Sequence, residues 1–309
     1  MIRTITPNEL DAFAAIAAHA NSERVAAFVR DLWQRGESAP DQCLVAEVDG
    51  HAIGRMLWWR LASNPFDAYI SLLALPWDGA WEDTGQAILA RCIQDARDAG
   101  AHRLEANVLM NAPGGLERCA VLADADFLPV QEKVRLELDG DSPLPPLSSR
   151  LRVYTRAQLG DDQFIEAIEY VMQGTLDRLM ARSIRHLGSR EAAVDYFDLL
   201  LDLDNRPDLW LLCFDTQGEF VGTVVAQRLS ESLGALNYVG VAPEQRGRGY
   251  GADLVAEGVR RLMVTGLETV RVEVDARNRP MLAAFHRNGF TEMGRTLIFG
   301  RTLDDASYA

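Results

Sequence analysis

Leu236-Asn-Tyr-Val-Gly-Val-Ala-Pro-Glu-Gln-Arg-Gly-Arg-Gly-Tyr-Gly-Ala-Asp-Leu254 is the stretch that decides the fold. Its apolar first part predicts a strand as far as Val241. A polar turn with three alternate glycines comes next. Leu254, Val255, Val259 and Leu262 then fall on one stripe of a helix that Gly266 ends. Gly247, Gly249 and Gly251 leave backbone N–H groups uncovered at a helix N-terminus, which is how a chain cradles a phosphate or pyrophosphate. Arg246 and Arg248 bring positive charge beside those amides. A plain strand-to-helix turn requires neither the arginines nor so many glycines.

The same order of elements occurs twice. Residues 1–138 predict a strand, a helix capped by Asn8 and carrying Leu10, Phe13, Ile16 and Ala17, and a second helix over Glu23–Trp33. A hairpin follows, from Cys43 through the turn at Asp49-Gly50 to Arg60, then a strand over Ala68–Leu75. A helix over Gly85–Ala99 and strands at Arg103–Leu109 and Val134–Leu138 complete this half. Residues 139–149 hold Gly140, Pro143, Pro145, Pro146 and three serines without periodicity, and read as a linker. Residues 150–309 begin again with a strand at Leu151–Tyr154, helices at Asp161–Gln173 and Arg190–Leu203, and a hairpin from Trp210 to Leu229. Ile53-Gly54 matches Val221-Gly222, and Arg60-Leu61 matches Arg228-Leu229, each 168 positions apart. Arg103-Leu-Glu-Ala matches Arg271-Val-Glu-Val at that same spacing, so an internal duplication accounts for the chain.

The duplication tests the glycine turn. With Gly85 beneath Gly251, residues Ala80, Trp81, Glu82 and Asp83 stand where Arg246, Gly247, Arg248 and Gly249 do. A carboxylate at a helix N-terminus adds about 0.3–1 kcal/mol to the helix but repels an anion. The first half has the scaffold without the phosphate site.

Composition narrows the rest. At 309 residues and 48% apolar the chain can build real cores, with length for two modules. No run of about 20 apolar residues exists to span a membrane, and no targeting region opens the chain. Cys43, Cys92, Cys119 and Cys213 have no paired spacing, which fits reduced thiols in a cytoplasm and neither a disulfide framework nor a zinc site. A net charge of −14 argues against nucleic acid as partner. Lys133 is the single lysine, which we read as codon usage.

Arg246-Gly-Arg-Gly-Tyr-Gly251 behind Val239-Gly-Val-Ala-Pro-Glu244 resembles the cofactor turn of the GNAT superfamily of acyl-CoA-dependent N-acyltransferases. Val272-Glu-Val-Asp-Ala-Arg-Asn278 is similar to that family's fifth strand and its asparagine. Met281-Leu-Ala-Ala-Phe-His-Arg-Asn-Gly-Phe290 is similar to the helix and Gly-Phe turn that follow. The resemblance covers roughly residues 151–303 strongly and 1–138 in outline. It implies an α/β fold of α+β type: two tandem GNAT-like modules, each a mixed, mostly antiparallel sheet with a splayed central strand flanked by helices. A degenerate module would occupy 1–138 and the acyltransferase module 150–309.

The resemblance also implies the site. Amides of Arg246, Gly247, Arg248, Gly249, Tyr250, Gly251 and Ala252 would hold the pyrophosphate of acetyl-CoA, taken as a co-substrate with no metal. Val239, Gly240 and Val241 would line the pantetheine arm as an added strand does. The Val239 amide would stabilise the oxyanion. Asn278 would bond the pantetheine or position its loop, or cap the following helix. Phe285 stands where a tyrosine often protonates the departing thiolate; it can pack but donates no proton. Ala235 stands where many relatives carry a glutamate base, which leaves Asn237, through a held water, and Glu273 as base candidates, with Asp275 on the same strand face as Glu273. Glu273 and Asp275 read equally well as solvated or salt-bridged carboxylates.

The acceptor side is expected in the first helices of the second half. Arg178, Arg182 and Arg185 form a basic set there, and Asp195, Asp198 and Asp202 an acidic one; either could be a solvated face. The expected function is transfer of an acetyl group from acetyl-CoA to a small-molecule amine by direct attack, in a cytoplasmic monomer or homodimer. The alternative is an acyl-CoA-binding sensor that has lost catalysis. A nicotinamide-binding unit is the nearest rival enzyme and is disfavoured by spacing, because Gly-x-Gly-x-Gly is not Gly-x-Gly-x-x-Gly.

Overall fold

The computed structural model describes residues 1–16, 21–61, 64–77, 79 and 81–303; Ala17 and Ala80 lie outside the described residues. The chain divides into two compact units, Met1–Gln131 with the segment from Thr296, and Glu132–Arg295. In chain order the first part contains β1 (Ile2–Thr4), α1 (Leu10–Ala15), α2 (Ser22–Gln34), β2 (Cys43–Val48) and β3 (His51–Leu61). It continues with β4 (Asn64–Ala74), α3 (Glu82–Asp98), β5 (Arg103–Leu109) and α4 (Gly115–Asp124). Then come β6 (Leu128–Asp139), β7 (Leu151–Thr155), α5 (Arg156–Leu159), α6 (Asp161–Met172), α7 (Arg178–Leu187) and α8 (Ser189–Leu203). The chain ends with β8 (Trp210–Asp215), β9 (Phe220–Arg228), β10 (Leu233–Val241), α9 (Tyr250–Met263), β11 (Thr269–Asp275), α10 (Arg279–Arg287) and β12 (Thr291–Thr302).

In the first unit the strands run β1-β2-β3-β4-β5 and end on the Thr296–Thr302 part of β12, antiparallel to β5. The second unit runs β6-β11-β10-β9-β8-β7, with β6 antiparallel to β11. Each half therefore lends its last strand to the other unit's sheet. The division falls at 131/132 and 295/296, whereas the sequence places it in the linker at 139–149. The reason lies in the pairing: Val134, Leu136 and Leu138 are buried in the core of the second unit, whose strand β11 they border. The linker carries no regular structure, yet it is fixed along α9, where Arg260 donates to the Pro145 carbonyl at 3.0 Å.

The architecture is the mixed α/β sheet with flanking helices that the sequence indicates, and each unit has a splayed parallel pair. β4 pairs with β5 only over Asp67–Ile70. β10 pairs with β11 only over Leu233–Ala235. Beyond those residues each pair parts. The two pairings stand 166 positions apart, whereas β3 and β9 match at 168, so the span from β3 to the parallel pair holds two residues more in the first half than in the second. Arg103 consequently corresponds to Thr269 and not to Arg271. A slip of two keeps the strand's alternation, so the sequence match survives the wrong register.

Helix α7 is a separate helix between α6 and α8, which the residue pattern does not announce. Asp177 caps it, accepting from the Met180 amide at 3.0 Å, and Gly188 ends it at φ +92°. The second core centres on Trp210, with Phe164 at 5.3 Å and Phe197 at 5.4 Å between ring centroids. It supports β8 to β11 from beneath the splay.

Candidate active site

Strand β10 is bent at Asn237. Leu236 faces Ala226 and Tyr238 faces Val225, so Asn237 is the extra residue of a bulge. A bulge turns the strand and raises its twist, and it lies where β10 leaves β11. From Leu236 to Val241 the strand keeps β9 as partner while its other edge is free of β11. Val239, Gly240 and Val241 are on that open edge. Backbone N–H and C=O groups unmatched across a splay offer an extended chain the pairing that a missing strand would have made.

The slot leads to the glycine turn. Gly247 and Gly249 adopt φ of +77° and +85°, a region L side chains avoid. Gly249 caps α9 without a side chain. Gln245 and Arg246 donate their amides to Ala242 and Pro243, and Ala252 donates to Gly249. The five amides between, Gly247 to Gly251, donate to no backbone carbonyl among the described residues. Tyr250 is buried beneath the turn, and Ala252 packs against the core. In the first unit α3 already begins at Glu82, with Glu82 and Asp83 in its first turn. There the residues corresponding to Arg248 and Gly249 are helix, and Trp77 and Trp81 pack at 5.9 Å.

Arg246 does not face the turn. Its guanidinium donates to the carbonyls of Val171 at 3.0 Å, Gln173 at 2.7 Å and Gly174 at 3.3 Å, while Nε donates to Val241 at 3.1 Å. It closes the C-terminal end of α6, whose orphan carbonyls and dipole favour a cation. The charge expected beside the amides comes instead from Arg248 and from Arg150, at the end of the linker. Arg150 Nη2 donates to the Arg248 carbonyl at 3.1 Å, Nη1 is 3.3 Å from Asp253, and its Cζ sits 4.0 Å from the Tyr250 ring centre. No motif flags Arg150; only the path of the linker along α9 brings it there.

The remaining expected residues are distributed as follows. Asn278 Oδ1 accepts from the Met281 amide at 3.3 Å, as a helix cap. Phe285 is 2% exposed and packs edge-on to Phe290 at 5.0 Å, so it belongs to the core. His286 next to it turns Nδ1 toward the Phe290 carbonyl at 3.1 Å. Asn237 spends one of its two amide N–H groups on Gln227 Oε1, at 2.5 Å. Gln227 in turn donates to the Leu200 and Asp204 carbonyls at the end of α8. Glu273 is exposed on β11, 3.3 Å from Arg135. Asp275, by contrast, is buried and accepts from the Arg178 backbone and Nε at 3.3 and 3.4 Å, tying the start of α7 to the end of β11.

Two phenols adjoin the bulge. Tyr196 of α8 donates to the Asn237 carbonyl at 3.0 Å and meets Tyr238 edge-on at 5.3 Å. Burial pushes both phenols up from their ordinary value, and the Asp177 carboxylate adds to the effect. Both stay protonated at neutral pH. Among the described residues no group of His, Cys, Asp or Glu is placed to hold a metal, and no helix is long and apolar enough to cross a membrane.

Residues 176–290 match the family model of the acetyltransferase (GNAT) family. The C-terminal region is a GNAT acetyltransferase domain. Over 110 residues the chain is 37% identical to a mycothiol acetyltransferase of Streptomyces bingchenggensis, covering 32% of this chain and 35% of that protein. A mycothiol acetyltransferase of Paenarthrobacter aurescens is 32% identical over 113 residues, 35% of this chain and 32% of that protein. The chain thus spans about a third of the length of these curated relatives. The whole chain has the tandem GNAT fold. A GCN5-related N-acetyltransferase from Sphaerobacter thermophilus superposes with a TM-score of 0.71 at 19% identity, covering 99% of this chain and 96% of the other. A tandem GNAT protein from the clavulanic acid biosynthesis pathway gives 0.61 at 15% identity, covering 99% of both. The bulge, the splay and the free amides all fall inside the GNAT domain.

Proposed function

We propose that the chain transfers an acetyl group from acetyl-CoA to the amine of a small molecule, within the second unit. The observation that carries this is the run of five unpaired amides, Gly247 to Gly251, continuous with the open edge of β10. The amides and the α9 N-terminus suit a pyrophosphate, with Arg248 and Arg150 adding charge. The edge at Val239–Val241 suits an extended amide-bearing arm, which would bring a thioester carbonyl to the Val239 amide. Attack by the neutral amine would form the C–N bond as the C–S bond breaks, with the amine proton lost to solvent or a carboxylate and the thiolate leaving. Hydrogen bonding to the oxyanion is the contribution asked of Val239; removal of one such donor elsewhere costs about 10²–10³ in rate. Tyr196 would hold the bulge that aims that amide.

An acyl-CoA-binding protein without turnover is the second reading, favoured by the engagement of Asn237 with Gln227, of Glu273 with Arg135 and of Phe285 with the core. Titration calorimetry with acetyl-CoA tests the cofactor half: the wild type binds, and Gly249→Asp, which puts a carboxylate and a strained φ into the turn, loses binding. Unchanged affinity in that variant would sink the assignment. Release of free thiol with a panel of amines separates the two readings, since tight binding with no turnover on any of them selects the second.

A further inference from the structure

The splay of the first unit holds a half-open cavity of about 270 Å³ between Ile70–Leu73 of β4 and Ala106–Leu109 of β5, with Ala112, Arg118 and Leu122 also lining it. Its lining residues are mostly aliphatic, but with Ser71, Asn107 and backbone groups they present about as much polar as apolar surface, and one cation faces it. Arg118 Nε donates to the Leu73 carbonyl at 2.8 Å and Nη1 to the Pro113 carbonyl at 2.8 Å, and its Cζ lies 5.0 Å from the Trp77 ring centre. No carboxylate pairs with it among the described residues.

Other arginines of this chain bond carbonyls too, some in loops and turns, as Arg150 and Arg260 do, and four at helix ends. Arg55 donates to Phe13 and Ala14 at the end of α1, Arg60 to Ala99 after α3, Arg301 to Ala125 after α4, and Arg246 to the end of α6. Each meets the negative end of a helix dipole. Arg118 does not. It stands in the first turn of α4, where the dipole opposes a cation, and its acceptors are a strand edge and a loop. Burial lowers its affinity for the proton. Its charge meets two carbonyls, the Trp77 face and, at a distance, the adjacent Glu117 carboxylate, but no helix C-terminus and no ion pair among the described residues.

The backbone beside it is strained. Leu72 has φ +58°, where the register of β4 against β3 slips. Such a conformation costs on the order of 1–3 kcal/mol in a non-glycine residue and concentrates at ligand sites. Without Gly-x-Gly amides and with Glu82 and Asp83 at the start of α3, nothing here receives a pyrophosphate. We propose that this cavity is a binding site for a small organic carboxylate with an aliphatic tail, its anion held by Arg118.

Octanoate and octan-1-ol, titrated into the full chain by calorimetry, test this. Octanoate binds one site, and the alcohol, identical in tail, binds at least tenfold more weakly. Arg118→Met lowers octanoate affinity about tenfold or more, the loss of a charge-assisted pair, and leaves the alcohol unchanged. Saturating acetyl-CoA leaves octanoate affinity as it was. The proposal is overturned if octanoate does not bind, if the alcohol binds equally well, or if acetyl-CoA displaces octanoate. Unaltered octanoate binding by a folded Arg118→Met chain overturns it too. The comparison of octanoate with octanol needs no variant and stands even if Arg118→Met fails to fold.

Discussion

Arg246 and Arg150 exchange the roles that sequence position suggests for them. Arg246 lies within the glycine motif but spends its donors on α6, whereas Arg150 lies outside any motif and stacks on Tyr250 beside the free amides. Their variants should therefore separate affinity from stability. Arg150→Ala is expected to weaken coenzyme A binding about three- to tenfold, a partly exposed charge–phosphate interaction being worth about 1 kcal/mol, with a small change in melting temperature. Arg246→Ala is expected to destabilise the chain by about 1–2 kcal/mol through the unsatisfied end of α6, with the smaller effect on affinity. Calorimetry and thermal denaturation of both variants check this; a larger affinity loss in Arg246→Ala at unchanged stability would reverse the assignment. The glycines were legible because their conformation is set by residue type. The aim of a long side chain is not, since it depends on which carbonyls the fold brings within reach.

At the scale of elements, α6 clamps the strand-to-turn junction twice, once through Arg246 and once through Tyr170, whose hydroxyl donates to Glu244 Oε2 at 2.7 Å. The Tyr170 hydrogen bond is the main cause that holds the Glu244 carboxyl below its ordinary range. A carboxyl whose folded value is lowered contributes stability that is present above its unfolded value and lost as pH falls through the folded one. Tyr170→Phe should thus be less stable than wild type at pH 7, and the difference should shrink as pH drops below about 4.5, the ordinary carboxylate range. Urea denaturation at pH 7 and pH 3.5 reads the two gaps; a gap that widens in acid would refute the clamp. The pattern of capping arginines belongs to this scale as well. From the sequence, thirty arginines against Lys133 suggested codon usage alone. In the fold, Arg55, Arg60, Arg246 and Arg301 each close a helix end, a task a planar guanidinium with five donors performs better than an ammonium. Strands and most helices were readable from periodicity, and α7 was not, because Arg178 to Leu187 are polar on average and bury no residue fully, although their few apolar residues share one face.

For the whole molecule, duplication was legible and the exchange of last strands was not. Alternation in Val134-Arg-Leu-Glu-Leu138 announces a strand, but two sheets with the same kind of edge can each accept it, and nothing local says which. The pairing decides: β6 borders β11, and the Thr296–Thr302 part of β12 borders β5. Cutting the gene at the linker would therefore not yield two modules with their own edges. A chain ending at Arg295 lacks Ile298, Phe299 and Leu303, exposed by 3%, 4% and 5% in the first unit. At about 1.5–3 kcal/mol for each buried apolar side chain, the loss is about 5–9 kcal/mol, comparable to the whole stability of a domain. It also leaves β5 as an uncovered edge with its inner face apolar. The truncated chain is expected to lose the first unit: limited proteolysis should cut within residues 1–131 while the segment 132–295 resists, and coenzyme A binding, if the turn at Gly247–Gly251 is the site, should persist in what remains. Resistance of both segments to protease after the truncation would show that β5 does not need this strand. Loss of coenzyme binding with the 132–295 segment still protected would place part of the site outside the second unit.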